Sequence, residues 1–131
     1  MSEEDVEVVR RSFTAWNEGD VDALRRLYAE DVVVKPGITE LGRTLEGDDP
    51  IGRWTTEMRE AWAEVHWEIE RIFEAGDVVV CFYNGMAVGR ESGVKLEREL
   101  TGLFRISDGR ITSERIYLDR SEALEAAGLR E

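Results

Sequence analysis

The sequence predicts a single α+β domain in which N-terminal helices pack on a curved antiparallel sheet. Two observations lead to this prediction. Apolar residues recur at helical spacing as far as residue 62, and from residue 65 onward the pattern changes to that of strands. The connections between these strands are so short that neighbouring strands must run antiparallel. The length suits one domain with one hydrophobic core, which we place over the whole of residues 1–131.

Three helices are predicted in the first half of the chain. Gly19 ends the first, Asp20 caps the second, and Asp49, followed by proline, begins the third. A short strand at 32–34 and a mobile loop at 38–48 separate the second helix from the third. The buried faces of the three helices are expected to be Val6, Val9, Phe13 and Trp16; Val21, Leu24, Leu27 and Tyr28; and Ile51, Trp54, Met58 and Trp62.

The second half predicts four strands and a last helix. Turn sequences rich in glycine and aspartate punctuate the strands, and Asp119 and Gly128 suit the two ends of the helix. The strands are expected at 65–73, 77–88, 94–106 and 110–118, and the helix at 121–127.

One predicted strand is apolar on both of its faces. Residues 78–83 are apolar at every position, so each side of this strand needs to be covered. The helices cover one side only. We therefore expect a second copy of the chain to cover the other, as a homodimer with Val79, Cys81 and Tyr83 at or near the contact.

Composition excludes several classes of function. A net charge of −12 repels nucleic acid, and the single cysteine and single histidine argue against an internal disulfide or a zinc site. We predict neither a metal nor a cofactor. The acidic N-terminus does not resemble a signal peptide, and no apolar run approaches the roughly 20 residues that cross a bilayer. A cytoplasmic protein without a membrane partner is expected.

Four segments carry a resemblance to a known family. They are FTAWNEGD at 13–20, LYAED at 27–31, SDGRI at 107–111 and YLDRSEALEAAGL at 117–129. In this order they resemble the nuclear-transport-factor-2-like (NTF2-like) superfamily, and in particular its SnoaL-like branch, which includes polyketide cyclases, ketosteroid isomerase and limonene epoxide hydrolase. The resemblance implies a cone-shaped fold with a pocket between helices and sheet.

The catalytic residues of two well-known members do not have counterparts here. The base of ketosteroid isomerase falls at Lys35 or Pro36, and its two oxyanion donors fall near Ser12 and Gly102. The water-holding set of limonene epoxide hydrolase falls on residues of other chemistry, namely Tyr83 to Gly85, Ile116, Val34 and Pro36. We therefore expect neither reaction from this chain.

Glu114 is the residue we predict to act as acid or base. It alternates with Ile116 and Leu118, so it faces inward if they do, and burial would raise its pKa. The alternative is a carboxylate in water at the end of the sheet, or one paired with an arginine such as Arg98. Asn84 could donate a hydrogen bond to a carbonyl ligand, or it could equally satisfy a turn.

The resemblance also implies which residues line the pocket. From the sheet these are Val80, Phe82, Asn84, Leu100, Gly102, Phe104, Glu114, Ile116 and Leu118, and from the helices Trp16, Trp54 and Met58. The alternative is that these side chains simply fill the core. An empty cavity larger than ~300 Å³ would favour the pocket.

Three functions remain open from the sequence. The chain is a lyase, isomerase or cyclase that transfers a proton on a small apolar carbonyl compound, with Glu114 as acid or base. Alternatively it binds such a small apolar molecule without catalysis. The third possibility is a dimeric protein with a closed core and no ligand.

Overall fold

The structure is a computed structural model that describes residues 2–37 and 42–129. Its elements follow the predicted order of helices first and a strand meander afterwards. They are α1 (Ser2–Glu18), α2 (Val21–Leu27), β1 (Tyr28–Lys35), α3 (Pro50–Ala61), β2 (Trp62–Ala75), β3 (Val78–Gly89), β4 (Lys95–Ser107), β5 (Arg110–Tyr117) and α4 (Arg120–Ala126). Across this described part of the chain, every helix falls short of the length and apolar content needed to cross a membrane.

The five strands form one curved sheet in the order β1-β5-β4-β3-β2. From β2 to β5 each strand pairs antiparallel with the next in sequence, as the short turns predict. β1 pairs parallel with β5, and Val34 lies opposite Glu114 in this register. The predicted α+β fold, with helices on a curved sheet, is confirmed.

Polar caps fix the helices where the sequence places them. Asp20 accepts a hydrogen bond from the backbone N–H of Ala23, and Asp119 accepts from the first turn of α4. Asp49 caps α3 and also binds Arg25 of α2 through two hydrogen bonds of 3.1 and 3.0 Å. The bidentate pair joins α2 to α3 in one geometry.

The boundary between α2 and β1 differs from the prediction. Tyr28 was expected on the buried side of the second helix, but α2 ends at Leu27 and Tyr28 is the first residue of β1. The predicted strand at 32–34 therefore starts four residues earlier. Of the predicted loop at 38–48, residues 38–41 lie outside the described residues. Within the rest, Leu45 exchanges two backbone hydrogen bonds with Val34.

The faces of β3 are the reverse of those expected. Val79, Cys81 and Tyr83 point toward the helices and belong to the main core, so the prediction that they lie at a dimer contact is wrong. Val80 and Phe82 point to the opposite side of the sheet. Because side chains alternate along a strand, an error of one residue in the register reverses every position.

Helix α4 covers the outer face of the sheet that was assigned to a second copy of the chain. Ala123 and Leu124 pack there against Val80, Phe82 and Leu103. The guanidinium of Arg120 lies 3.9 Å from the centre of the Phe82 ring. The doubly apolar strand is thus buried within the monomer, and its composition alone does not require a partner.

Gly37, just after β1, provides a sharp test of this architecture. Its φ is +76°, and a Cβ there would collide with the backbone carbonyl oxygen of Ile116. Gly76 has a similar φ of +62° but open space around it, so Gly76→Ala costs only the backbone strain, about 1 kcal/mol. We expect Gly37→Ala to lower the free energy of unfolding by at least about 2 kcal/mol more than Gly76→Ala. Urea denaturation followed by circular dichroism measures both, and equal losses would contradict the packing of residue 37 on β5.

Candidate functional site

Glu114 lies at the centre of the concave side of the sheet, and only 4% of its surface is exposed. The hydroxyl of Tyr28 donates a hydrogen bond of 2.5 Å to its Oε1 atom. The parallel pairing of β1 with β5 brings the two residues together from distant parts of the chain. The alternative of a solvated Glu114 is wrong, because the carboxyl is buried, and its hydrogen-bond partner is Tyr28 rather than Arg98.

Burial changes the protonation of this pair. Loss of water raises the pKa of Glu114 to about 7, and the hydrogen bond from Tyr28 acts against that rise without cancelling it. The pKa of Tyr28 is held well above its ordinary value by burial and by the adjacent carboxylate. Near neutral pH Glu114 therefore exists in both its acid and its base form, while Tyr28 remains a hydrogen-bond donor.

A second tyrosine presents its hydroxyl to the same region. Tyr83 is 4% exposed and lines the same cavity as Glu114. Burial, followed by the negative charge of Glu114, holds the pKa of Tyr83 well above its usual range. Cys81, two residues away on the same face, has its pKa raised to about 12 mainly by burial. Tyr83 thus stays neutral and keeps a hydroxyl proton that it can donate.

The enclosed cavity between these groups is small. Its volume is about 20 Å³, which holds about one water molecule. Aromatic rings make up most of its wall, and the lining residues are Ser12, Phe13, Trp16, Tyr28, Trp54, Trp67, Tyr83, Glu114 and Ile116. The volume lies far below the ~300 Å³ expected of a ligand pocket.

A much larger groove opens next to this cavity. It measures about 470 Å³ and lies between the ends of α1 and α3 and the start of β2. Met58, Trp62 and Arg90 line the groove, whereas Trp16 and Trp67 line both the groove and the enclosed cavity. Only side chains therefore separate Glu114 from an open space of ligand size.

Residues 9–114 match the SnoaL-like domain family. The chain belongs to this family. No curated protein shows significant sequence similarity to it. The predicted resemblance to the SnoaL-like branch is confirmed.

Solved structures of the same fold agree with this assignment. A Catenulispora acidiphila protein with a ketosteroid isomerase-like fold, solved with trimethylamine, is 25% identical to this chain. The match covers 94% of this chain and 93% of that protein, with a TM-score of 0.76. A protein from Jannaschia sp. CCS1 assigned as a SnoaL-like polyketide cyclase is 18% identical, with coverages of 99% and 95% and a TM-score of 0.76. An epoxide hydrolase of the limonene epoxide hydrolase type from Mycobacterium tuberculosis is 23% identical, with coverages of 90% and 84% and a TM-score of 0.70.

Several predicted site residues of this SnoaL-like protein do meet on the concave side. Trp16, Trp54, Glu114 and Ile116 line the enclosed cavity, and Met58 lines the groove. Other predicted residues fill the core around them. Leu100 and Phe104 are buried in the main core, and the ring of Phe104 occupies the space in front of Gly102.

Four predicted pocket residues lie elsewhere, so their assignment to the cavity face is wrong. Val80 and Phe82 face the opposite side of the sheet, beneath α4. Asn84 is exposed on that same side, too far from the cavity to hydrogen-bond its contents. Leu118 follows the end of β5 and is 54% exposed. The first two errors, and that of Asn84, follow from the reversed faces of β3.

Two tyrosines of the site, Tyr28 and Tyr83, could not be assigned to it from the sequence. Tyr28 was placed on a helix and Tyr83 at a dimer contact, although the register of β3 with β4 sets Tyr83 opposite Leu100. The signal that would have found Tyr28 is a tyrosine four positions before the strand-forming valines at 32–34. Among the residues that the structure describes, no three His, Cys, Asp or Glu side chains cluster as a metal site requires.

The raised pKa of Glu114 predicts how stability depends on pH. The folded protein holds this proton more tightly than the unfolded chain, so stability falls as pH rises from about 4.5 to about 7. Over that range the free energy of unfolding of the wild type should fall by roughly 3 kcal/mol relative to Glu114→Gln, which has no proton to lose. Urea denaturation at a series of pH values gives this difference. Glu99→Gln, at an exposed site, is the control and should show no such trend, and a constant difference for Glu114→Gln would mean an ordinary pKa.

Proposed function

We propose that this SnoaL-like domain binds a small, flat, largely apolar molecule that carries one carbonyl oxygen, and transfers a proton on it through Glu114. The observation that carries the proposal is the buried Glu114 carboxyl, whose pKa of about 7 suits it to accept and return a proton at neutral pH. A purely structural carboxyl in this position is costly, because burying a charge without a cation opposes folding.

The three polar groups divide the reaction between them. The Glu114 carboxylate takes a proton from the carbon next to the carbonyl, and the electron pair of that C–H bond moves onto the carbonyl oxygen as an enolate. The Tyr83 hydroxyl donates a hydrogen bond to this oxygen. Tyr28 holds the carboxyl in place. Protonated Glu114 then returns the proton to the same or to a conjugated carbon, so the net result is exchange or isomerisation.

The surroundings favour an uncharged ligand. The described residues that line the enclosed cavity include no lysine, arginine or histidine, and their rings offer flat apolar surfaces. A net charge of −12 also disfavours an anion. A neutral aromatic or conjugated ketone fits both conditions better than a carboxylic acid or a phosphate ester.

A second candidate is a closed core without a ligand. The observation that favours it is the volume of about 20 Å³, which admits no substrate unless side chains move. The two candidates differ in one measurable respect. A closed core neither binds a ketone nor exchanges its protons, whereas a binding module does the first without the second.

Hydrogen–deuterium exchange of β-tetralone tests the proposal without knowledge of the natural substrate. We expect the protein to accelerate exchange of the protons next to the carbonyl in D₂O, with a rate that rises as pH passes through about 7 and then levels. Glu114→Gln should lower the rate by about a hundredfold or more, and Tyr83→Phe by about a hundredfold. Proton NMR follows the exchange, and Glu99→Gln serves as the control.

The outcomes separate the candidates. Exchange that Glu114→Gln leaves intact would contradict the role of this carboxyl. Binding of β-tetralone without any acceleration would identify a non-catalytic binding module. The absence of both, for this and related flat ketones, would leave the closed core.

We also propose that the protein is a cytoplasmic homodimer. An open hollow of about 430 Å³ remains beside α4 on the outer face of the sheet, lined by residues that include Val33, Leu103 and Tyr117, and it supports a partner surface there. The lone cysteine accords with a reducing compartment. Light scattering at micromolar concentration should give twice the monomer mass, and a monomer would contradict the dimer.

A further inference from the structure

The enclosed cavity and the open groove share two walls, the indole rings of Trp16 and Trp67. The two remaining tryptophans lie on one side each. Trp54 lines only the cavity, and Trp62 lines only the groove. The boundary between the groove and the cavity is therefore formed by Trp16 and Trp67, and a molecule that crosses it displaces one or both rings.

Trp67 is held in place from several directions. Its ring lies against Gly85, where an added Cβ would come within 2.5 Å of it, and its centre is 5.9 Å from that of Tyr83. The side-chain amide of Asn17 fixes its backbone through hydrogen bonds of 2.8 Å from the Trp67 N–H and 2.7 Å to the Trp67 carbonyl. Movement of this ring would disturb the packing of β2 on β3.

Movement of Trp16 would disturb less regular structure. The residue is half-buried near the end of α1, its ring meets Trp54 edge-on at 4.8 Å, and its side chain hydrogen-bonds to Tyr28. A turn of its side chain toward the groove breaks these two side-chain contacts but no strand pairing. The space that its ring vacates joins the cavity of about 20 Å³ to the groove of about 470 Å³.

We propose that the cavity and the groove are two parts of one ligand site, and that Trp16 is the specificity-determining residue that separates them. The inference rests on the proposed function, since it concerns the path to Glu114. A ligand replaces the indole with a ring of its own. The class that fits is a flat, uncharged bicyclic molecule with an oxygen atom on its leading ring, where Tyr83 and Glu114 lie. Its trailing part remains in the groove, against Met58 and Trp62.

Three tryptophan variants and the probe β-naphthol test this inference. β-Naphthol is uncharged at neutral pH, and its binding needs no catalysis. The open arrangement is a minor state in the wild type, typically 0.1–10% of molecules, so Trp16→Ala should raise the apparent affinity about tenfold or more. Trp54→Ala enlarges only the inner cavity and Trp62→Ala only the groove, so neither should produce this gain. Calorimetry gives the affinities.

A second readout reports whether the probe reaches the carboxyl. In Trp16→Ala, saturation with β-naphthol should shift the carbon NMR signal of the Glu114 carboxyl, and in Trp62→Ala the shift should not exceed that of the wild type. Trp16→Phe, the milder change, should show a smaller gain in affinity and serves if Trp16→Ala does not fold. Equal affinities in all variants, or a Glu114 signal that stays unmoved in Trp16→Ala, would overturn the inference. Failure of β-tetralone exchange with these binding results intact would remove the proton transfer alone.

Discussion

The burial of one carboxyl against one phenol is the constraint on which the rest of this structure depends. Glu114 loses its water inside the sheet, and Tyr28 supplies the hydrogen bond that keeps it there. To reach it, the chain ends α2 at Leu27 and lays β1 parallel to β5 rather than continuing the helix. The aromatic rings around the pair exclude solvent. The same exclusion of water raises the pKa of the Glu114 carboxyl to about 7. The packing that stabilises the fold therefore also prepares this carboxyl for the proposed proton transfer.

Much of the fold could be predicted because its signals are local. The caps Asp20, Asp49 and Asp119 identify helix starts from a few neighbouring residues, and the tight turns of the meander dictate antiparallel pairing. Glu114 could also be selected, because strand alternation with Ile116 places both on one face. The choice between a buried and a solvated carboxyl could not be made, since it depends on Tyr28, a residue 86 positions away in sequence.

The misplaced positions of β3 share one cause. An apolar strand such as residues 78–83 carries no alternation, so its inward face is set by the register with β4, where Val88 pairs with Lys95. The sequence of β3 alone does not determine that register. The error moved Tyr83 out of the site and Phe82 into it. It also led to a dimer contact where α4 supplies the cover.

Asn17 has a consequence for the behaviour of the protein in concentrated solution. Strand β2 is an edge of the sheet, fourteen residues long, and an unpaired edge is a template on which another chain can add a strand. The Asn17 amide occupies the outward N–H and carbonyl of Trp67 near the middle of this edge, as a neighbouring strand would. A single side chain thus divides the free edge into two shorter stretches, the first with one glutamate and the second with three. A side chain in the last turn of α1 thereby also protects the sheet against aggregation.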